Sequence, residues 1–406
     1  MKALIKIHPT NPPEWYVGLN LVDKPEPAVT PSRPVKLKII STGVCGTDVG
    51  IYQGKDSLAY TMAKNTGTET ILGHEFCGQI FEIHPTAKIE VVNLLLRKKL
   101  TNQKLINFVS GQTAEQLANQ PDLIDFLRDN FYVSAEMHFT CLECLQCRTG
   151  HQHVCKNTIG KGIHEDGAYT DFMVVPANRL VLFEKDEIPP EIISFMDAIG
   201  NGVHTCQSTD VVGRNILITG AGLQGLMSCA IARQLGAAKI FVTDVVPQNK
   251  QTVDKLAIAK KLGADFTFDV GSPEGINQLK ETIARETDNT GADIVFEMAG
   301  HYSAYQAALE NIRMGGTMLL LGLPAGKLEL DFSNQVVFKG LTIKGIYGRR
   351  VFDTWDLMRY LLANGLTETI LNSGIITHQL PLSRYDEGFQ ALINGQAIKV
   401  LLNPGK

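Results

Sequence analysis

Apolar positions change their rhythm twice along this 406-residue chain. In the first third, short runs rich in β-branched residues, such as Val35-Lys-Leu-Lys-Ile-Ile40 and Gln79-Ile-Phe-Glu-Ile83, are separated by proline and glycine. This texture predicts a compact antiparallel barrel. From about residue 190, continuous apolar runs alternate with helical stretches: Asn215–Thr219, Lys239–Thr243, Asp293–Glu297 and Thr317–Leu321. Strands buried on both faces, each followed by a helix, predict a parallel doubly wound α/β sheet. The chain then returns to mixed texture. The expected division is a first domain at 1–190, a nucleotide-binding domain at 191–337, and a segment at 338–406 that completes the first domain.

One stretch breaks the β texture. From about 85 to 131 the spacing of Val91, Val92, Leu94, Leu95 and Leu96, and later of Leu117, Leu123, Ile124, Leu127 and Phe131, is helical. Thr113 and Gln116 have the spacing of a capping box, and Pro121 suits a helix's first turn. Two to four short amphipathic helices are expected. They either pack as a surface insertion or offer a face to another subunit or partner.

Composition narrows the class. Hydrophobic residues at 44% and charged residues at 20% describe a globular protein able to bury a core. The net charge of −4 gives no reason to expect nucleic acid or an anionic membrane as partner. No apolar run nears the roughly 20 residues that span a bilayer. No signal peptide is read at Met1, and the cysteine usage fits a reducing cytoplasm.

Four of the eight cysteines, Cys141, Cys144, Cys147 and Cys155, fall within fifteen positions. Such a cluster predicts a closed tetrahedral zinc site of structural type, with two disulfides in a secreted domain as the alternative. A second motif, Gly220-Ala-Gly222-Leu223-Gln224-Gly225, follows a strand and opens a helix. Its glycines permit a tight turn and a close approach to a pyrophosphate at the helix N-terminus. Asp244, at the end of the next strand, suits a ribose diol and favours NAD over NADP; Lys250 nearby leaves room for NADP. Cys45 in Gly43-Val-Cys-Gly-Thr47-Asp48, with His74 and Glu75 in Gly73-His-Glu75, can form an open zinc site.

These motifs together resemble the zinc-dependent medium-chain alcohol dehydrogenases, and most closely the threonine-dehydrogenase branch. Further likeness lies in Phe195-Met-Asp197-Ala-Ile-Gly-Asn201 and in Gly345-Ile-Tyr-Gly-Arg349 followed by Phe352-Asp-Thr-Trp355. The resemblance implies a GroES-like catalytic domain, a Rossmann domain, one catalytic and one structural Zn²⁺, and an active cleft between the domains. It implies that Cys45 and His74 ligate the catalytic zinc, with Glu75 and Asp197 able to reach it. It further implies that Thr47 passes on the hydroxyl proton and that His138 stands beside the substrate. The expected reaction is hydride transfer from a secondary alcohol to NAD, first of all from L-threonine, in a homodimer or homotetramer.

Three departures stand out. Gly50 takes the place of the usual relay histidine. Ala198 follows Asp197 where proline is usual, and the helical insertion replaces a short hairpin. Two other readings stay open: a polyol, butanediol or aminocyclitol dehydrogenase, and a non-catalytic zinc- and nucleotide-binding interaction protein.

Overall fold

The computed structural model describes residues 1–247 and 251–405, so Lys250 lies outside the described residues. Two sheet systems carry the molecule. The first is a seven-stranded, mainly antiparallel sheet in the order Leu180–Glu184, Phe131–Ala135, Glu75–Ile83, Val35–Gly43, Lys399–Asn403, Ile376–Pro381. Strand Phe172–Val175 also pairs with Val35–Gly43. A three-stranded sheet built on Lys2–Ile7 stands beside it. Strands from the chain's end therefore sit next to the loops that carry Cys45 and His74.

The second sheet is wholly parallel and six-stranded. Its order is Phe266–Asp269, Lys239–Asp244, Asn215–Thr219, Ala292–Glu297, Ile312–Leu320, Thr342–Gly345. The connectivity reverses between Asn215–Thr219 and Ala292–Glu297, and ligands of such sheets bind in the crevice at that point. A domain boundary is expected at 337/338. It would cut Thr342–Gly345 from the sheet, although that strand pairs in parallel with Ile312–Leu320. Helix Asp353–Leu361 stays with this half as well, buried against Met196–Gln207.

The stretch from 85 to 131 forms four helices, Lys88–Arg97, Gln103–Val109, Ala114–Ala118 and Leu123–Asn130, after a 3₁₀ turn. The capping box forms: Thr113 N–H donates to Gln116 Oε1 at 2.8 Å, and Gln116 N–H to Thr113 Oγ1 at 3.2 Å. Pro121 lies in the turn ahead of Leu123–Asn130 instead of within its first helical turn. Val91, Leu95, Leu105, Leu117 and Leu127 share one cluster with Val35, Leu37, Ile39 and Ile80 of the sheet. Most of the apolar stripe is thus packed on the seven-stranded sheet, while Ile89 and Leu96 of the first helix stay exposed. Among the described residues, no helix is long and apolar enough to cross a membrane.

Candidate active site

Cys45 is the N-cap of helix Gly46–Tyr52, and Asp48 three residues on completes the cap by accepting the Cys45 N–H at 3.0 Å. The turn thereby fixes the thiol at the head of a helix, with half-buried Thr47 one residue into it. His74 follows Gly73, whose φ of +90° and whose contact with the Tyr169 ring (2.4 Å from an added Cβ) exclude other side chains there. The next strand then delivers Glu75.

The ligand atoms of Cys45, His74 and Glu75 lie within 4.8 Å of one another. Around them stands a supporting layer. Asp48, fully buried, places Oδ1 3.6 Å from His74 Nδ1, and its Oδ2 accepts Tyr169 O–H at 2.7 Å. Burial opposes a charge on His74, yet the Asp48 carboxylate and the Cys45 sulfur outweigh it and hold the imidazole well above its usual range. Lys399, wholly buried in the penultimate stretch of the chain, forms an ion pair with Glu75 Oε2 and donates to Val44 O at 3.0 Å. Burial still pushes the Glu75 carboxyl up against the pull of Lys399. Glu75 Oε1 and His74 Nδ1 are buried without a hydrogen-bond partner. A thiol, an imidazole and a carboxylate oxygen converging in this way suit a Zn²⁺ ion with one position left open.

Asp197, expected to be able to reach this metal, lies outside the converging set of three. Its Oδ2 is 2.6 Å from Arg349 Nη1. A carboxylate on a short arm at the start of helix Met196–Gln207 meets the guanidinium first. Arg349 is buried and is the hub of a network. It donates bidentately to Glu136 from Nε (2.9 Å) and Nη2 (2.6 Å), and Trp355 Nε1 also donates to Glu136 at 2.9 Å. His138 Nδ1 sits between Glu136 Oε1 (2.8 Å) and Arg349 Nη2 (2.9 Å), with the ring about a quarter exposed. Burial acts to raise the Glu136 carboxyl, but Arg349 and His138 prevail and hold it well below the usual range. Sequence reasoning missed Asp48, Lys399, Glu136 and Arg349 as site-shaping residues. The signal for Lys399 was there: a lone cation in the apolar run Ala397-Ile-Lys-Val-Leu-Leu402 needs a buried partner.

Gly50 is buried against two flexible side chains. An added Cβ would lie 2.8 Å from Leu58 Cδ1 and 3.2 Å from Lys55 Cδ, so a side chain at position 50 would require these two to shift.

The four-cysteine lobe closes on itself. All four Sγ atoms lie within 4.8 Å of one another and none is in a disulfide, which excludes the disulfide alternative in this structure. The Cys155–Cys141 and Cys144–Cys155 sulfurs are 3.5 and 3.7 Å apart. That is near the edge of a tetrahedron with Zn–S bonds of about 2.3 Å. Backbone N–H groups of Cys141, Cys144 and Asn157 point at these sulfurs. Donors from Glu143 and Cys144 bring the Cys141 thiol down to about 6, whereas burial pushes Cys147 up to about 12.

At the nucleotide crevice, Gly222 caps helix Leu223–Gln234 and has no atom within 4 Å of an added Cβ, leaving room for a pyrophosphate. Gly225 packs so closely that an added Cβ would stand 1.9 Å from Gly220 O. Leu223 and Gln224 form the first helical positions, and Gln224 Oε1 is buried without a hydrogen-bond partner. Asp244 ends its strand as expected, with Val245 N–H donating to Oδ1 at 3.0 Å.

Comparison with known proteins agrees with this geometry. Residues 225–364 match the family described as Zinc-binding dehydrogenase, and residues 31–93 the Alcohol dehydrogenase GroES-like domain. A protein of Shewanella woodyi named L-threonine 3-dehydrogenase is 34% identical over 403 residues, 99% of each chain. One of the same name from Caldanaerobacter subterraneus subsp. tengcongensis is 35% identical over 391 residues, 95% of this chain and 96% of its own. In fold, the chain is similar to an alcohol dehydrogenase from Thermotoga maritima (TM-score 0.76, 22% identity, 99% of each chain). It is also similar to galactitol-1-phosphate dehydrogenase from Escherichia coli (TM-score 0.75, 21% identity, 100% of each chain).

Proposed function

This chain belongs to the zinc-dependent medium-chain alcohol dehydrogenases, and we propose that it oxidises the β-hydroxyl of L-threonine to 2-amino-3-ketobutyrate, with NAD as acceptor. The observation that carries the reading is the convergence of Cys45, His74 and Glu75 beneath a buried supporting layer. Zn²⁺ held there supplies Lewis acidity, which lowers the pKa of the alcohol hydroxyl. NAD supplies the hydride acceptor.

The chain's own residues orient and exclude. Asp48 places a carboxylate charge 3.6 Å from His74 Nδ1, which favours one orientation of the ring in which a nitrogen would ligate the zinc. Lys399 occupies one oxygen of Glu75 and leaves the other directed at the metal or at a proton. Arg349 pairs with both Glu136 and Asp197 and fixes the tilt of His138, whose exposed edge then meets the polar end of the amino alcohol. Thr47 takes the hydroxyl proton, and with no side chain at position 50 the proton goes on through solvent.

We assign residues 191–373 to the nucleotide-binding half, because strand Thr342–Gly345 and helix Asp353–Leu361 belong with it. Assembly is proposed to run through that same strand. It is the open edge of the parallel sheet, all four of its residues are exposed, and Val337 and Phe338 beside it are 67% and 70% exposed. An unpaired edge of this kind suits pairing with a second copy.

Purified protein supplied with zinc, NAD and L-threonine should generate the near-ultraviolet absorbance of NADH. Cys45→Ala should abolish it while thermal melting and NADH binding persist. Turnover of butanediol or a polyol with none on threonine would overturn the substrate assignment.

A further inference from the structure

Two residues of the segment Gly345-Ile-Tyr-Gly-Arg349 flank His138. Arg349 Nη2 stands 2.9 Å from His138 Nδ1, and the Tyr347 ring, 57% exposed, has its centroid 6.3 Å from that of His138. Between them lies Gly348, whose φ of +59° is in the left-handed region, so the chain bends there. The direction of both flanking side chains follows from how that bend is held.

It is held by His204, in the last turn of helix Met196–Gln207 and 3% exposed. His204 Nδ1 is 2.7 Å from Gly348 O. A carbonyl only accepts, so Nδ1 carries the hydrogen. Burial brings the imidazole down to about 4, resisted by the Gly348 carbonyl and aided by His153, Arg350 and Lys344. The ring is therefore neutral near pH 7, and the carbonyl fixes its tautomer. Behind it, the His153 ring of the zinc lobe packs edge-on, with centroids 5.1 Å apart at 81°. No other backbone or side-chain donor among the described residues meets Gly348 O.

His204 belongs neither to the converging metal set nor to the glycine motif, so the proposed reaction leaves it without a part. We propose that His204 is a positioning residue for the Tyr347–Arg349 segment and thereby sets the affinity of the cleft for the amino alcohol. Its N–H fixes the Gly348 peptide. The next residue, Arg349, then meets Glu136 and Asp197, and His138 is oriented in turn. The inference rests on the reaction proposed above and adds a residue on which substrate binding depends without touching substrate.

The test compares His204→Leu, which roughly keeps the volume and removes the donor, with His204→Asn, whose amide nitrogen takes the place of Nδ1. Trp355 gives a readout that needs no reaction. It is one of two tryptophans, it is buried, and its Nε1 donates to Glu136 Oε2 at 2.9 Å. Its emission and acrylamide quenching are recorded in a Trp15→Phe background, beside thermal melting, NADH titration and kinetics on L-threonine. His204→Leu should raise KM for threonine roughly tenfold, on the scale of one lost hydrogen bond, and change kcat by less than about threefold. NADH affinity should stay within about twofold, as expected of sites that share no partner. Trp355 emission should move to the red and quench more readily. His204→Asn should recover most of both effects. Where melting shows His204→Leu unfolded, His204→Gln, whose amide lies one carbon further out, replaces it with the same expectation. Unchanged Trp355 emission or unchanged KM in the donor-less variant would overturn the assignment. So would equal impairment in His204→Asn, or a parallel loss of NADH affinity. Absence of turnover in wild type would remove the reaction alone, and the Trp355 signals would still decide whether His204 holds the segment.

Discussion

Arg349 reaches Glu136 across 213 positions of sequence, and the pair is almost entirely shielded from water. A buried ion pair is a weak source of net stability, but losing one partner strands the other charge, at a cost of about 3–5 kcal/mol. Arg349→Met should therefore lower the urea midpoint substantially, and Glu136→Gln in the same chain should recover part of the loss, since the two sites are coupled. A sum of the two single effects in the double variant would contradict this. Acid should act through the same pair. The folded-state value of Glu136 lies well below its ordinary 4.5, so its contribution is complete above that value and drains away as pH falls toward the native value. The wild type should accordingly lose stability on acidification below about pH 4.5 more steeply than Glu136→Gln does. The convergence of Cys45, His74 and Glu75 was legible because each stands at the end of a regular element or in the loop beside it, with a recognisable neighbour. The pairing of Asp197 was not legible, because sequence reveals that a carboxylate is near a site but not which cation lies beside it. That cation stands 152 positions away.

The four helices between 88 and 130 pose the question of what an inserted element does. Their 3.6-residue stripe and capping box were visible in the sequence, because helical period and local hydrogen bonds are local properties. Their partner was not, since an apolar stripe reads the same whether it meets a sheet, a subunit or its own neighbours. Here Leu95 is fully buried in a cluster shared with sheet residues Leu37 and Ile80. The loop after the first helix is held as well: Glu184 accepts N–H groups from Thr101 and Asn102 at 2.8 and 2.9 Å. At that helix's end, Lys98 reaches Glu187 at 2.6 Å, and Arg359 of the nucleotide half holds the other oxygen of Glu187, also at 2.6 Å. Leu95→Ala should cost about 2–5 kcal/mol, as emptying a packed leucine site does. Deleting residues 88–129 should leave the protein insoluble or unfolded. A soluble deletion product with unchanged melting would mean the helices only cover a sheet that is stable without them.

At the scale of the whole molecule, the two halves share a core instead of merely touching. Cys77 and Phe183 from the antiparallel sheet belong to one cluster with Phe195, Ile199, Ile216 and Met358 from the nucleotide half and its helices. Texture alone did not mark strand Thr342–Gly345 as part of the parallel sheet, because it is short, exposed at the sheet's edge and without the continuous apolar run of its neighbours. The zinc lobe is tied into the same body. Buried Arg179 donates to Thr140 Oγ1 at 2.8 Å and lies near Gln152 Oε1 at 3.4 Å, joining both ends of the lobe. Its carbonyl accepts the Glu136 N–H at 3.0 Å, which puts the lobe one hydrogen bond from the Arg349 network. Loss of the lobe's metal should therefore act in two places. Cys144→Ser should lower thermal stability, because metal binding contributes folding free energy where no preformed site exists without it. It should also raise KM for the alcohol, as His138 loses its anchor, while affinity for NADH at the distant glycine motif stays within about twofold, as expected of sites that share no partner. Melting curves and separate titrations of alcohol and NADH on the purified variant distinguish these effects. An equal loss of affinity for both ligands would mean that the lobe supports the molecule as a whole and has no directed path to the substrate side.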